Sequence, residues 1–379
     1  MTYLDHAATS PPRAEALRAM WPSLTSEFGN PSSRHERGLN AARALDWARE
    51  TCAAALGWSV GDVVFTSGGT ESNNLAISGL ALGSPRGRHI VSAATEHSSV
   101  RATLAWLQRW HDFEVTWVDL DSNGTLEPGA LERALRDDTT LVTLMAANNE
   151  IGTEHDLAAI SELSRRAGAL VHTDAVQSVE WRDLRGIQLD AISLSGHKVG
   201  APQGIGAAYI RSELPLEPTV WGGGQQRDRR SGTENLPGAI ALATALALAS
   251  QEREQTAARV TALRERLTAG LTRLNPGVTP TGDPERRAPH IASFVFPGIS
   301  GEALLIGIEE RGVQCSSGSA CSAGSDEPSS VLTAIGIDSD TALSAVRFSL
   351  GRDSTADDID AAIDATASAL AGLGWTIAR

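Results

Sequence analysis

Between about residue 35 and residue 250, short apolar runs alternate with Ala-, Leu- and Arg-rich segments of helical period. VVFTS is followed by a helical stretch from Glu71 and then by HIVSAA; TLVTLMAA is followed by DLAAISELSRRAG and then ALVHTDA. An unbroken apolar run is the mark of a strand covered on both faces. The alternation therefore predicts βα units, a mostly parallel sheet and helices on both sides of it. The order changes near residue 250. An apolar helix at 238–250 is followed by a second at 251–274 with Arg and Glu on its outer side. Then come a strand at 292–296, a helix at 301–311, the apolar Val313, a strand at 345–350 and a closing helix from Thr355. We expect a large α/β domain over 15–250 and a smaller α+β domain built from 1–14 and 251–379.

A chain of 379 residues has length for two or three domain-sized units. Its 32 Lys and Arg against 46 Asp and Glu give a formal charge of −14, which argues against a non-specific grip on nucleic acid or anionic lipid. The longest weakly polar run, 237–250, is shorter than the roughly 20 residues a bilayer span needs. The start, MTYLDHAATS, lacks the basic and apolar regions of a secretory signal, so a cytoplasmic protein with no membrane partner is expected. Cys52, Cys315 and Cys321 are odd in number and contain no CxxC pair. Neither a disulfide framework nor a metal site is expected, and a reduced thiol is left available for chemistry. Cys52 sits in a helical stretch and Cys315 two residues after Val313, both reading as structural, whereas Cys321 lies among Ser and Gly that form no core.

In open α/β sheets, ligands sit beyond the carboxyl ends of the strands, so the polar residues directly after each apolar run form the candidate site. After 63–65 comes TSGGTESNN, a Gly-rich turn into a helix. Free backbone N–H groups there suit a phosphate, and the same residues also suit an ordinary N-cap. Other runs end in Thr95-Glu96-His97, in Asn148-Asn149-Glu150, in Asp174-Ala175-Val176-Gln177 and in Ser195-Gly196-His197-Lys198. A carboxylate in the apolar setting of Asp174 calls for a positive partner. A lysine at the end of a buried strand is costly as an ammonium unless paired, and lysines are few here, so Lys198 is a candidate nucleophilic amine. A Schiff-base lysine, an aspartate for a protonated pyridine nitrogen and an anion cradle are three handles for pyridoxal phosphate, with His97 as a flat group for the ring face. Arg347, in AVRFSLG, suits a bidentate clamp on an amino-acid carboxylate; from this segment alone a surface strand arginine is the simpler reading.

Taken in order, YLDHAATSPP, GNPSSRHERG, FTSGGTESNN, TEHSSV, NNEIGT, HTDAVQS, SLSGHK, GGGQQRDRRSGTEN, CSSGSACSAGSDEPSSVL and VRFSLG resemble the cysteine desulfurases of the class-V aminotransferase family. The likeness runs from residue 3 to 351. It implies the fold-type-I pyridoxal phosphate scaffold, whose mostly parallel seven-stranded sheet is flanked by helices and joined to a smaller α+β domain. By position, Lys198 would carry the cofactor and His97 would stack on its ring and shuttle protons. Asp174 would bind the ring nitrogen and Gln177 the ring hydroxyl. Gly69, Thr70, Ser195 and His197 would hold the phosphate, with Thr233 reaching across from a second subunit of a homodimer. Asn149 and Arg347 would grip the substrate carboxylate, and Cys321 would take the sulfur.

The resemblance implies conversion of L-cysteine to L-alanine with a persulfide on Cys321. The segment around Cys321 resembles the long-loop, NifS/IscS-like subgroup, whose sulfur passes to iron–sulfur scaffold proteins or tRNA-thiolation enzymes. Two departures stand out: His6 where the family usually has Asn, and HKVGAPQG in place of HK-aromatic-GPKG. The alternative readings are a selenocysteine lyase, an aminotransferase or a kynureninase-like hydrolase on the same scaffold. None of these requires a thiol acceptor, so Cys321 separates them.

Overall fold

Burial on both faces of one central sheet organises the first two thirds of the chain. The computed structural model describes residues 1–83, 85–318 and 327–375. A short strand β1 (Thr2–Tyr3) leads to helices α1 (Ala14–Leu24) and α2 (Glu36–Leu56). The alternating part follows as β2 (Val63–Thr66), α3 (Gly69–Gly83), β3 (His89–Ser92), α4 (Ser98–His111), β4 (Glu114–Trp117), α5 (Ala130–Ala134), β5 (Thr139–Thr143), α6 (Leu157–Arg166), β6 (Leu170–Asp174), β7 (Ala191–Ser195) and β8 (Gly206–Ile210). The sheet order is β2-β8-β7-β6-β5-β3-β4. Only β8 opposes its neighbours, β7 and β2; the other pairings are parallel. The carboxyl ends of β2, β3, β5, β6 and β7 therefore share one edge, as the alternation predicts.

On one face, Ala48, Cys52 and Leu56 of α2 belong to the same continuous core as Val142 and Val171 of the sheet. On the other, Leu75 and Leu80 of α3 and Leu104 and Leu107 of α4 cover Ile90 and Leu141. Helix boundaries follow local chemistry: Gly57 ends α2 in the left-handed conformation (φ 67°), and Asp156 starts α6 by accepting from the N–H groups of Ala158 and Ala159 at 3.1 Å. Inside the sheet, His172 on β6 is held between Thr143 Oγ1 (2.8 Å) on β5 and Ser193 Oγ (2.9 Å) on β7.

The remaining elements are α7 (Leu236–Leu274), β9 (Thr279–Pro280), β10 (Ile291–Val295), α8 (Gly301–Glu309), β11 (Val313–Gln314), α9 (Ser330–Ala334), α10 (Ser339–Ala342), β12 (Val346–Ser349) and α11 (Ala356–Gly372). Strands β12, β10 and β9 form an antiparallel sheet, and β1 pairs in parallel with β11. The two helices expected to meet near residue 250 are one. Helix α7 is continuous over 39 residues, a length of about 58 Å at the α-helical rise. Its Leu242 and Leu246 belong to the large core, whereas Val260, Leu267 and Leu271 join Leu4, Phe294, Phe348 and Leu370 in a second core. Between them Gln251, Glu252 and Glu254 face solvent, and this polar stretch imitates a linker in the sequence. Among the described residues no helix is long and apolar enough to cross a membrane.

Candidate active site

The shared carboxyl edge of the strands borders a cavity of about 580 Å³. Gly69 and Thr70 reach it from the first turn of α3, after β2, His97 from after β3 and Asn149 from after β5. Asp174 and Gln177 come from the end of β6, and Ser195, His197 and Lys198 from the end of β7. Arg347 closes the wall from β12 of the second sheet. Thr233 does not line this cavity. It lines an adjoining one of about 120 Å³, which shares Ser67 and Gly204 with the first. Cys321 lies outside the described residues; Gly318, three positions earlier, lines the main cavity.

The Asp174 carboxylate is 5 % exposed and accepts hydrogen bonds from Asn73 Nδ2 (2.7 Å) and from the Val176 N–H (2.9 Å). The positive partner expected from sequence is not among these hydrogen-bond donors, both of which are neutral. At the start of α3, the first N–H groups have no partner within the helix. A Cβ added at Gly69 would lie 2.9 Å from Val176 Cγ2 and 3.3 Å from Ser195 Cβ, so glycine is what lets this helix end approach β6 and β7. The helix begins at Gly69, two residues before the sequence pattern suggested. His97 caps α4: its Nδ1 accepts from the Ser99 N–H at 3.1 Å, which leaves the ring proton on Nε2.

Lys198 Nζ donates to the carbonyl of Ala8 at 2.5 Å and also to that of Ala7. Gln177 Nε2 donates to the Ala7 carbonyl at 3.0 Å, and its Oε1 pairs with His290 Nε2 at 2.9 Å. Burial, then the Lys198 charge, pulls His197 down to about 4. Its neutral ring meets Thr9 Oγ1 through Nδ1 at 3.1 Å. Burial alone would raise the Glu71 carboxyl, but hydrogen bonds from Arg230 Nε and the Ser67 N–H, both 2.7 Å, hold it below the usual range. Burial pushes Glu96 well above the ordinary carboxylate range, although the Met145 N–H donates to its Oε1 at 2.7 Å.

Arg347 corrects the simpler sequence reading, since it is 2 % exposed and not a surface residue. Val346 and Phe348 on either side fill the second core, which turns Arg347 toward the cavity wall. Its Nη2 donates to Asp5 Oδ1 at 2.8 Å, and its Nη1 donates to the carbonyls of Asn149 (2.8 Å) and Gly318 (3.4 Å).

Sequence reasoning missed Asp5, Asn73 and the Ala7–Ala8 carbonyls, whose partners lie more than a hundred positions away. One available signal was undervalued. Lys198 is the only lysine in 379 residues, the other 31 basic side chains being arginine. The aldehyde carbon of pyridoxal phosphate thus has a single side-chain amine to join, and that amine lies in the cavity. The cavity also supplies a carboxylate for a ring N–H and a glycine-opened helix N-terminus for a phosphate. The residues present fit the cofactor.

A family model described as aminotransferase class-V matches residues 2–362. The chain is 41 % identical to the cysteine desulfurase IscS of Methanosarcina thermophila, over 96 % of this chain and 90 % of that protein. It is 40 % identical to the IscS-like cysteine desulfurase of Mycobacterium tuberculosis, over 98 % and 96 %. Among solved structures, a NifS-like protein superposes with a TM-score of 0.91 at 32 % identity, covering 98 % of this chain and all of that one. A NifS-like protein from Rickettsia africae gives 0.86 at 30 % identity, over 96 % and 98 %. Matches that span nearly every residue, around a cavity built for an aldehyde cofactor and an amino acid, place the chain in the class-V aminotransferase family, among the pyridoxal phosphate-dependent cysteine desulfurases.

Proposed function

We propose that Lys198, His97 and Cys321 are the catalytic residues of this desulfurase, and that sulfur from L-cysteine leaves as a persulfide on Cys321. The observation that carries this reading is that the chain's single lysine shares one cavity with Asp174 and a buried Arg347. Pyridoxal phosphate, when bound, supplies an electron-withdrawing ring that acidifies the α-carbon of an amino acid joined to it. Asp174 would keep the ring nitrogen protonated, and Gln177 would donate its remaining N–H to the ring hydroxyl. Gly69, Thr70, Ser195 and His197 would hold the phosphate, with Thr233 added from a second subunit of a homodimer. Arg347 and Asn149 would grip the substrate carboxylate, a planar match for a guanidinium.

With an amino acid joined to the cofactor, Lys198 Nζ would accept the α-proton, and His97 Nε2 would carry an exchangeable proton. The sulfur transfer balances internally. The Cys321 thiolate bonds to the substrate sulfur, the Cβ–S bond breaks with its electron pair left on carbon, one proton added at Cβ makes the methyl group, and the proton returned to the α-carbon completes alanine. A sulfur-acceptor protein then takes the persulfide sulfur. We assign the chain to the long-loop subgroup and to the cytoplasm, and its acceptor to iron–sulfur assembly or tRNA thiolation. The switch of α7 between two cores supports division into 15–250 and 1–14 with 251–379.

Borohydride reduction followed by peptide mapping is expected to place one adduct on the Lys198 peptide; a colourless protein, or an adduct on the α-amine, overturns the reading. Cys321→Ala is expected to keep the yellow absorbance and lose sulfide release. Full release by that variant would point instead to a lyase that needs no thiol acceptor.

A further inference from the structure

The N-terminal turn, residues 5–10, bonds to four polar side chains of the cavity, although only Ala7 and Ala8 of it line that cavity. Asp5 Oδ1 receives Arg347 Nη2; the Ala7 carbonyl receives Gln177 Nε2 and Lys198 Nζ; the Ala8 carbonyl receives Lys198 Nζ; Thr9 Oγ1 meets His197 Nδ1. The turn is itself pinned. The Ala7 N–H donates to Ser349 Oγ (2.8 Å), the His6 N–H to the Ser349 carbonyl (3.2 Å), and the Ser10 N–H to the His197 carbonyl (3.0 Å). Tyr3 Oη donates to the carbonyls of Asp5 (3.0 Å) and Thr9 (2.9 Å), closing the turn from outside. The His6 ring fills the space over Gly351, where an added Cβ would come within 2.3 Å of it.

We propose that Asp5 is a positioning and specificity-determining residue, holding Arg347 from behind so that its guanidinium meets the carboxylate of the amino-acid substrate. Asp5 is the only anion with a salt bridge to Arg347 among the described residues, and the pair is shielded, with the arginine side chain 3 % and the aspartate 20 % exposed. The other two acceptors, the Asn149 and Gly318 carbonyls, both receive Nη1, so Asp5 alone fixes the Nη2 side. Arg347 Nε is buried with no hydrogen-bond partner among the described residues, so none of them compensates on that edge if Asp5 is removed. Asp5 does not line the cavity and acts through Arg347. With Nη1 turned to two carbonyls and one N–H of Nη2 held by Asp5, the guanidinium is fixed in orientation, and the second N–H of Nη2 is the one a substrate carboxylate would meet.

The inference rests on the reading of Arg347 as the carboxylate clamp, and the experiment separates the two. The holoenzyme is titrated with L-alanine, which carries the carboxylate, and with ethylamine, which does not, following cofactor absorbance. Asp5→Asn is expected to weaken L-alanine about tenfold while ethylamine stays within about twofold, and Asp5→Glu to recover most of the loss. In an Arg347→Lys background, Asp5→Asn is expected to add less than about twofold, the non-additivity of two groups acting as one. In turnover, Asp5→Asn raises KM for L-cysteine by more than it lowers kcat. Equal weakening of both ligands, or full additivity with Arg347→Lys, overturns the inference. Unchanged L-alanine binding in Asp5→Asn, with weakened binding in Arg347→Lys, overturns it while sparing the clamp. Unchanged binding in Arg347→Lys overturns both.

Discussion

Asn73 sits on the second turn of α3, yet its side chain spends one N–H on Asp174 Oδ2 (2.7 Å) and is bound to Ser99 Oγ (2.9 Å) through the same amide nitrogen. It ties α3 to α4 and fixes the carboxylate proposed to bind the ring nitrogen. A charge-assisted hydrogen bond of this kind contributes about 1.5–3 kcal/mol. Asn73→Ala is therefore expected to weaken cofactor binding by roughly tenfold or more, measured by absorbance titration of the stripped protein. The sequence made Asp174 and Lys198 conspicuous because each directly follows an apolar run, where an open α/β sheet presents its ligands. Asn73 gave no such signal, because its importance comes from a partner 101 positions away. Arg347 was ambiguous for a related reason: alternation shows which residues share a strand face, not what the opposite face meets.

Parallel strands buried on both sides leave little room for polar groups, and His172 is satisfied there only because hydroxyls stand beside it on the two flanking strands. Burial pulls this ring down to about 3, so the folded protein keeps it neutral while the unfolded chain protonates it near 6.5. Its contribution to stability is thus present above pH 6.5 and is lost as pH falls toward 3. His172→Gln, which removes the titration, is expected to be less stable than the parent at pH 7.5, with the gap in Tm narrowing as pH falls from 6.5 to 4. An unchanging gap would contradict the assignment. At this scale the alternation revealed the strands well, since β2, β3, β5 and β7 are buried throughout. Helix α7 was hidden: its apolar side changes partner in mid-course, and the exposed turn between the two cores reads as a connection.

Across the whole molecule, α7 ties the two cores together. The exposed Gln255 lies in its middle, where a proline removes a backbone hydrogen bond and clashes with the preceding turn at a cost of about 3 kcal/mol. Gln255→Pro is expected to split a single calorimetric transition into two, with the smaller unit melting first; one cooperative transition would show that the cores are coupled by other contacts. The distribution of charge has a different consequence. Every basic side chain but one is a guanidinium, and the exception faces the cavity. Acylating, carbamylating or tagging reagents that select primary amines find one internal target besides the chain's α-amine. The extent of their reaction is therefore a direct gauge of how many centres stand uncharged with cofactor in a preparation.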